Sequence, residues 1–247
     1  MRYALALLVL AVPLTACGGV SINAVAQAAT KATAAGSEHV AISGNVSGTG
    51  QAVQMQGTGD FQRSPALGKM TMTVAQGGKN YSIDEVMDHT TIYMRSPLFA
   101  SQLHGKSWMS IDLEKAGKNF RVAFNQLASQ SPSDTLAALR KAGSVQKIGT
   151  ETVDGVEATH YRAKIDIAKN KSLMKLEQYI SYKYEPLNVW IGKSNGLPVR
   201  MTMAYYVENA GNKIATSMQM DFSKYGEPVN VQVPSANDTV DMTKLGG

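Results

Sequence analysis

The chain has 247 residues, of which 17% are charged, and its formal net charge at pH 7 is +5. The basic residues are scattered and form no basic block, so the composition does not support a nucleic-acid-binding protein. Because Cys17 is the only cysteine, an internal disulfide is excluded.

The N-terminus has the pattern of a secretory signal. Arg2 precedes an apolar run at residues 3–12, which is shorter than the roughly 20 residues that a membrane-spanning helix needs. The segment LTAC (14–17) matches the bacterial lipobox, so this region resembles the signal peptides of bacterial lipoproteins. The resemblance implies a signal peptide at residues 1–16 and a diacylglyceryl group, with acyl chains such as palmitate, on the sulfur of Cys17. The alternative is a free or buried thiol.

An alanine-rich stretch, SINAVAQAATKATAAGS (21–37), predicts a helix that ends at Gly36, so residues 17–36 are expected to form an acylated N-terminus and a first helix. Alternating apolar residues after it predict strands with one buried face, because successive side chains of a strand point to opposite faces. These strands are EHVAISGNVSG (38–48), QAVQMQGTGDFQR (51–63), LGKMTMTVAQ (67–76), KNYSIDEVMD (79–88) and TTIYMR (90–95).

The pattern changes between residues 96 and 143, where short helices, including one at residues 131–143, are predicted around the strand SWMSI (107–111). Strands resume at residue 144 with a hairpin turn at Asp154-Gly155. A helix is predicted over about residues 168–180. Three long strands and one short strand near the C-terminus complete the chain.

About ten or eleven strands result, and tight turns join nearly all of them, so the sheet is predicted to be antiparallel. A sheet of that many strands must twist and curl. The expected fold is therefore α+β, an open half-barrel with helices covering its concave face. We expect a single domain at residues 37–242, followed by a C-terminal tail at residues 243–247.

Three segments carry a resemblance to a known family: VDGVEATHYRAKID (153–166), VWIGKSNGLPVRM (189–201) and MDFSKYGEPVNVQVPSANDTVD (220–241). In their order and spacing they resemble actinobacterial lipoproteins of the LppX/LprG type, within the LolA-like superfamily. This resemblance implies a LolA-like half-barrel closed by helices over a hydrophobic cavity that holds the acyl chains of lipids or glycolipids.

The function implied by this resemblance is that of a lipid carrier or chaperone at the cell envelope. The protein would be exported and anchored through Cys17 to the outer, extracytoplasmic face of the cell membrane. Two alternatives stay open, namely a LolA-like sensory or interaction module of the envelope with a protein partner, and a hydrolase with an unrecognised site.

Methionine recurs as Met-x-Met in three predicted strands, where valine and isoleucine would fit a pleated sheet better. Methionine is unbranched and polarizable, so it adapts to a flexible acyl chain. Ordinary core filling is the alternative for each of these residues. The predicted cavity residues share the buried parity of their strands and are Met70, Met72, Val74, Val199, Met201, Met203, Met218, Met220 and Phe222.

The sequence holds no recognisable catalytic or metal-binding motif. The four histidines, His39, His89, His104 and His160, lack metal-ligand spacing, and neither a G-x-S-x-G elbow nor a phosphate-binding loop is present. We therefore predict a protein that is not an enzyme and has no cofactor. The parity of Trp190 leaves two roles open, packing under a helix or lining an entrance.

We predict that Cys17 is the mature N-terminus and carries the acyl anchor. Cys17→Ser should abolish lipidation, so that the protein stays uncleaved or is shed and no longer partitions into detergent. Phase partitioning and intact-mass measurement of membrane-derived protein check this. An unmodified Cys17 in the wild-type protein would contradict the prediction.

Overall fold

The computed structural model describes residues 18–48, 51–116, 144–164, 181–184, 187–209 and 212–243. Several predictions fall outside the described residues: the signal peptide, Cys17, the helices at residues 131–143 and about 168–180, and most of the C-terminal tail.

A helix follows the lipobox directly. Helix α1 spans Gly18–Ala35 and stops at Gly36, whose φ of +81° is the left-handed conformation that glycine adopts without strain. This confirms the helix that the alanine-rich stretch predicts. One stripe of α1, formed by Val25, Ala28, Ala29 and Ala32, is buried. This spacing is that of one helix face, and its small residues let the helix approach the sheet closely.

The strands form one sheet of thirteen members among the described residues. Their bounds are β1 Ser37–Gly48, β2 Gln51–Gln62, β3 Leu67–Gln76, β4 Lys79–Asp88, β5 Thr91–Arg95, β6 Trp108–Asp112, β7 Ser144–Val153, β8 Val156–Lys164, β9 Ser181–Tyr184, β10 Leu187–Gly192, β11 Pro198–Asn209, β12 Asn212–Ser223 and β13 Thr239–Asp241. Short 3₁₀ helices at Pro97–Gln102 and Ala236–Asp238 precede β6 and β13.

The strand order is β13-β6-β5-β4-β3-β2-β1-β12-β11-β10-β8-β7, and β9 pairs with the second half of β11. All pairs are antiparallel except β13 with β6. The sheet is open, because in the described part of the chain this path does not close on itself. Strand β1 joins the two halves through its pairing with β2 and β12. This continuity supports the single-domain interpretation, which stays a prediction.

The main core lies between α1 and the half of the sheet that contains β1, β12, β11, β10, β8 and β7. Val25 and Ala28 of the helix pack there with Val40, Leu187 and Met201, which are almost fully buried. A second, smaller cluster contains Val153, Ala158 and Val199, with Val156 and Trp190 packed against it. Apolar burial is the dominant favourable term in folding, so the α1-covered half carries most of the described core.

Glycines bring neighbouring strands unusually close on the same face of the sheet. A Cβ atom on Gly57 of β2 would lie 2.5 Å from the carbonyl oxygen of Thr71 in β3 and 2.7 Å from Cγ of Met72. Gly59 and Gly68 are similarly crowded, in both cases by the ring of Phe61. The absence of side chains at these positions is therefore what permits the observed approach of β2 and β3.

We expect Gly57→Ala to destabilise the fold by about 1–3 kcal/mol, because the added methyl group overlaps the backbone of β3. Gly149→Ala in β7 is the matched control, since a Cβ atom there meets nothing within 4 Å. Urea unfolding of both variants measures the difference. Equal stabilities for the two variants would show that β2 and β3 are not as close as described.

Candidate functional site

The methionines of β11 and β12 face each other across the strand pair. Met201 lies opposite Met220, and Met203 lies opposite Met218, on the side of the sheet where α1 packs. We call this side the methionine face. Met201, Met220 and Phe222 are buried in the main core, whereas Met203 and Met218 are half-buried at its border.

The strand register brings the predicted residues of β3 onto the same face. Three adjacent rows of facing residues cross the sheet from β3 to β12, and two of them continue to β11. The rows are Met70–Gly59–Val40–Phe222, Met72–Gly57–Ile42–Met220–Met201 and Val74–Met55–Gly44–Met218–Met203. All predicted cavity residues except Val199 therefore lie side by side. Whether they enclose a ligand stays a prediction.

Val199 lies apart from this set, in the second cluster with Val153 and Ala158. The pairing of β10 with β11 shifts between Trp190 and Ile191, so that Val199 is an extra residue on β11. A bulge of this kind interrupts the strict alternation of side chains. The parity rule that groups Val199 with Met201 fails at this point.

Further methionines occupy the same face, although their strands lack the Met-x-Met pattern. Met55 belongs to one of the three rows, Met87 lies opposite Gly68, and Met94 lies opposite Met109. Each stands alone in its strand, so only the alternation of that strand, combined with the register, identifies it. The methionine face therefore extends from β11 to β6.

Glu85 is the acidic residue in the middle of this apolar surface. It lies on β4 between Met70 of β3 and Met94 of β5 and is half-buried. Within the described residues its carboxyl has no hydrogen-bond or ion-pair partner. Burial raises the pKa of Glu85 above its ordinary value, because an apolar environment disfavours the charged form.

A cavity of about 1090 Å³ opens on the opposite face of the sheet. It takes in runs of three consecutive residues on β1, β2, β11 and β12, so its floor is the backbone of these strands. Met203 and Met218 belong to these runs, but their side chains point to the methionine face because of strand alternation.

The side chains that line this cavity are mostly amides and hydroxyls. One row of facing residues is Thr73, Gln56, Ser43, Gln219, Thr202 and Asn188, and it ends beside Arg162. The next row is Asn80, Ala75, Gln54, Asn45, Ser217 and Ala204. We call these two rows the amide trough.

Trp190 and His160 lie on the face of the sheet opposite α1. Their rings stack with centroids 4.3 Å apart, and the indole N–H of Trp190 donates a hydrogen bond of 2.6 Å to Glu151. Trp190 also packs against the second cluster, and the two roles that the sequence leaves open stay predictions. Among the described residues no group of three His, Cys, Asp or Glu side chains is placed to hold a metal ion.

Known structures share this architecture. The crystal structure of the lipoprotein LppX from Mycobacterium tuberculosis matches with a TM-score of 0.51 at 18% identity, covering 86% of this chain and 98% of LppX. LprF from Mycobacterium bovis matches with a TM-score of 0.50 at 14% identity, covering 88% of this chain and 98% of LprF. The fold is the one that LppX and LprF share. The predicted fold class is thereby confirmed, but the described sheet has thirteen strands where about ten or eleven are predicted.

Sequence comparison adds a relative of this chain. An uncharacterized 31.2 kDa protein of Streptomyces griseus, from the rplA-rplJ intergenic region, is 32% identical over 169 residues. The match covers 60% of this chain, and the chain spans about half the length of that relative, 53%. No protein-family model matches the chain. None of the helices among the described residues is both long and apolar enough to cross a membrane.

We predict that Glu85→Gln stabilises the fold more at neutral pH than at low pH. Because the pKa of this carboxyl is raised in the folded state, the folded protein binds the proton more tightly than the unfolded chain does. The resulting stability is fully present below the ordinary pKa of about 4.3. This stability is lost as the pH rises through the folded pKa. Glutamine stays neutral at every pH, so the variant does not lose it. Thermal unfolding across the acid-to-neutral range measures the effect, with the exposed Glu227→Gln as control. A gain that is equal at all pH values would contradict the prediction.

Proposed function

We propose that the protein is an exported lipoprotein that binds the acyl chains of lipids or glycolipids on its methionine face. It would be anchored through Cys17 to the outer face of the cell membrane and would act there as a carrier or chaperone for these lipids. The observation that supports this most is the continuity of the three rows of apolar residues from β3 to β12.

The gradient of burial along these rows fits a binding surface. Under α1, Met201 and Met220 are almost inaccessible, with 0% and 4% exposure, as in an ordinary core. Met72, Met203 and Met218 keep part of their surface accessible. Large apolar surfaces that stay partly accessible mark ligand or partner sites. Flexible thioether side chains can repack around chains of different length and saturation.

The position of α1 supports a membrane-anchored arrangement. The helix begins at Gly18, the residue after the proposed acylation site, and its buried stripe packs on the methionine-face core. The apolar face would therefore be connected to the anchor by a rigid element. LppX, which shares the fold, is itself a lipoprotein. Two or three acyl chains hold a protein on a bilayer durably.

We predict that Met203→Trp and Met218→Trp reduce lipid binding without unfolding the sheet. Both side chains are half-buried, so a larger ring can fill space that the acyl chain would use. Met201→Trp is the matched control, because this fully buried side chain leaves no room and overpacking costs about 1–3 kcal/mol. Native mass spectrometry of full-length protein, purified in detergent from membranes, should show a lipid adduct on the wild type and its loss in both variants.

Thermal unfolding of the same samples separates the possible results. Destabilisation of both variants with normal lipid adducts on the folded fraction would show that these methionines only fill the core. A wild-type protein without lipid adduct that instead retains a protein partner would contradict the carrier function and favour the interaction module. Turnover of an ester substrate would favour the hydrolase.

A further inference from the structure

The amide trough differs from the rest of its own face in charge. Arg162 is the one charged residue that lines the cavity in the described part of the chain. Just outside the trough the same face carries charge clusters, with His39 and Lys69 against Asp60. Solvated surfaces ordinarily intersperse charges of both signs. The depletion of charged residues is therefore local to the trough and does not extend over the rest of this face.

Four amides of the trough have no side-chain partner among the residues that the structure describes. Asn45, Gln54, Gln56 and Asn80 make no side-chain hydrogen bond within the described residues. Each side-chain amide offers two donors and one acceptor oxygen. At the other end of the trough, in contrast, Asn188 accepts a hydrogen bond from His160 at 2.9 Å when that ring nitrogen is protonated.

We propose that the amide trough binds a neutral oligosaccharide. Sugar hydroxyls donate and accept hydrogen bonds, which matches the unpartnered amides of Gln54 and Gln56 and the neighbouring hydroxyls. Among the described lining residues, an anionic glycan would find Arg162 alone as counter-charge. A peptide would need apolar recesses for its side chains, whereas the apolar side chains of the trough are Ala75 and Ala204.

The dimensions of the trough suit a short chain of sugar rings. Six neighbouring strands contribute to each row, and at about 4.8 Å between strands a row is roughly 25 Å long. The cavity volume of about 1090 Å³ is sufficient for a ligand larger than a single sugar. The glycan would therefore lie across the strands, perpendicular to their direction.

This site is separate from the methionine face, because the sheet lies between them. Met55 points to one side, and its chain neighbours Gln54 and Gln56 point to the other. The head group of a lipid that is bound on the methionine face cannot reach through the sheet to the trough. The proposed occupant is therefore a free neutral oligosaccharide, and lipid binding can fail while this proposal stands.

The test uses the full-length protein in detergent micelles and measures Kd by microscale thermophoresis. The probes are maltohexaose, cellohexaose and mannohexaose. Three comparison probes are an acidic oligogalacturonate, an alanine-glycine heptapeptide and vesicles that contain digalactosyldiacylglycerol. The variant Gln54→Ala/Gln56→Ala removes two exposed amides, and Gln102→Ala/Gln232→Ala, which removes two exposed amides elsewhere, is the matched control. Thermal unfolding establishes that both variants are folded.

We expect at least one neutral hexasaccharide to bind with a Kd of about 1 mM or tighter. The trough variant should weaken this binding at least about tenfold, as expected for two lost neutral hydrogen bonds, and the control variant should bind as the wild type. Lipid adducts should be unchanged in the trough variant. The proposal is overturned if no hexasaccharide binds, if only a comparison probe binds, or if the trough variant binds like the wild type.

Discussion

The structure depends on the burial of one stripe of α1 against the sheet. Val25, Ala28, Ala29 and Ala32 turn toward a single side, and the strands that they cover come from the centre and one end of the strand order. Because these side chains are small, the helix packs closely on the sheet and forms a conventional core with this half. The apolar rows nevertheless continue beyond the helix toward β3 and β4.

Alternation along the strands gives the two faces opposite chemistry from the same segments. Between residues 54 and 56, and again between residues 202 and 204, a methionine that points one way is flanked by shorter or polar side chains that point the other way. A slip of register by one residue would exchange the two faces completely. The close approach at Gly57 helps to exclude such a slip, since it would bring side chains into the crowded position. A strongly twisted sheet is saddle-shaped, so both faces can contain a hollow.

Much of this arrangement could be predicted from the sequence, and the failures have identifiable causes. The helix stop at Gly36 and the shared face of Met201, Met203, Met218 and Met220 follow from local rules of capping and alternation. The position of Val199 does not, because a bulge is a property of two paired strands. The trough also could not be predicted from the sequence. Parity separates polar from apolar residues, whereas a hollow arises from the register and curvature of many strands together. The carboxyl of Glu85, which has no partner among the described residues, likewise becomes notable only beside Met70 and Met94.

The methionine face has a chemical consequence for the exported protein that we propose, because oxidants reach proteins outside the cytoplasm. Oxidation to the sulfoxide converts a flexible apolar side chain into a polar one. Met201, with 0% exposure, is shielded by packing, whereas Met203 and Met218 present part of their thioether surface. Mild peroxide would therefore modify the border of this face before its centre and would make the surface polar where an acyl chain would lie. Bound ligand and oxidant would compete for the same sulfur atoms.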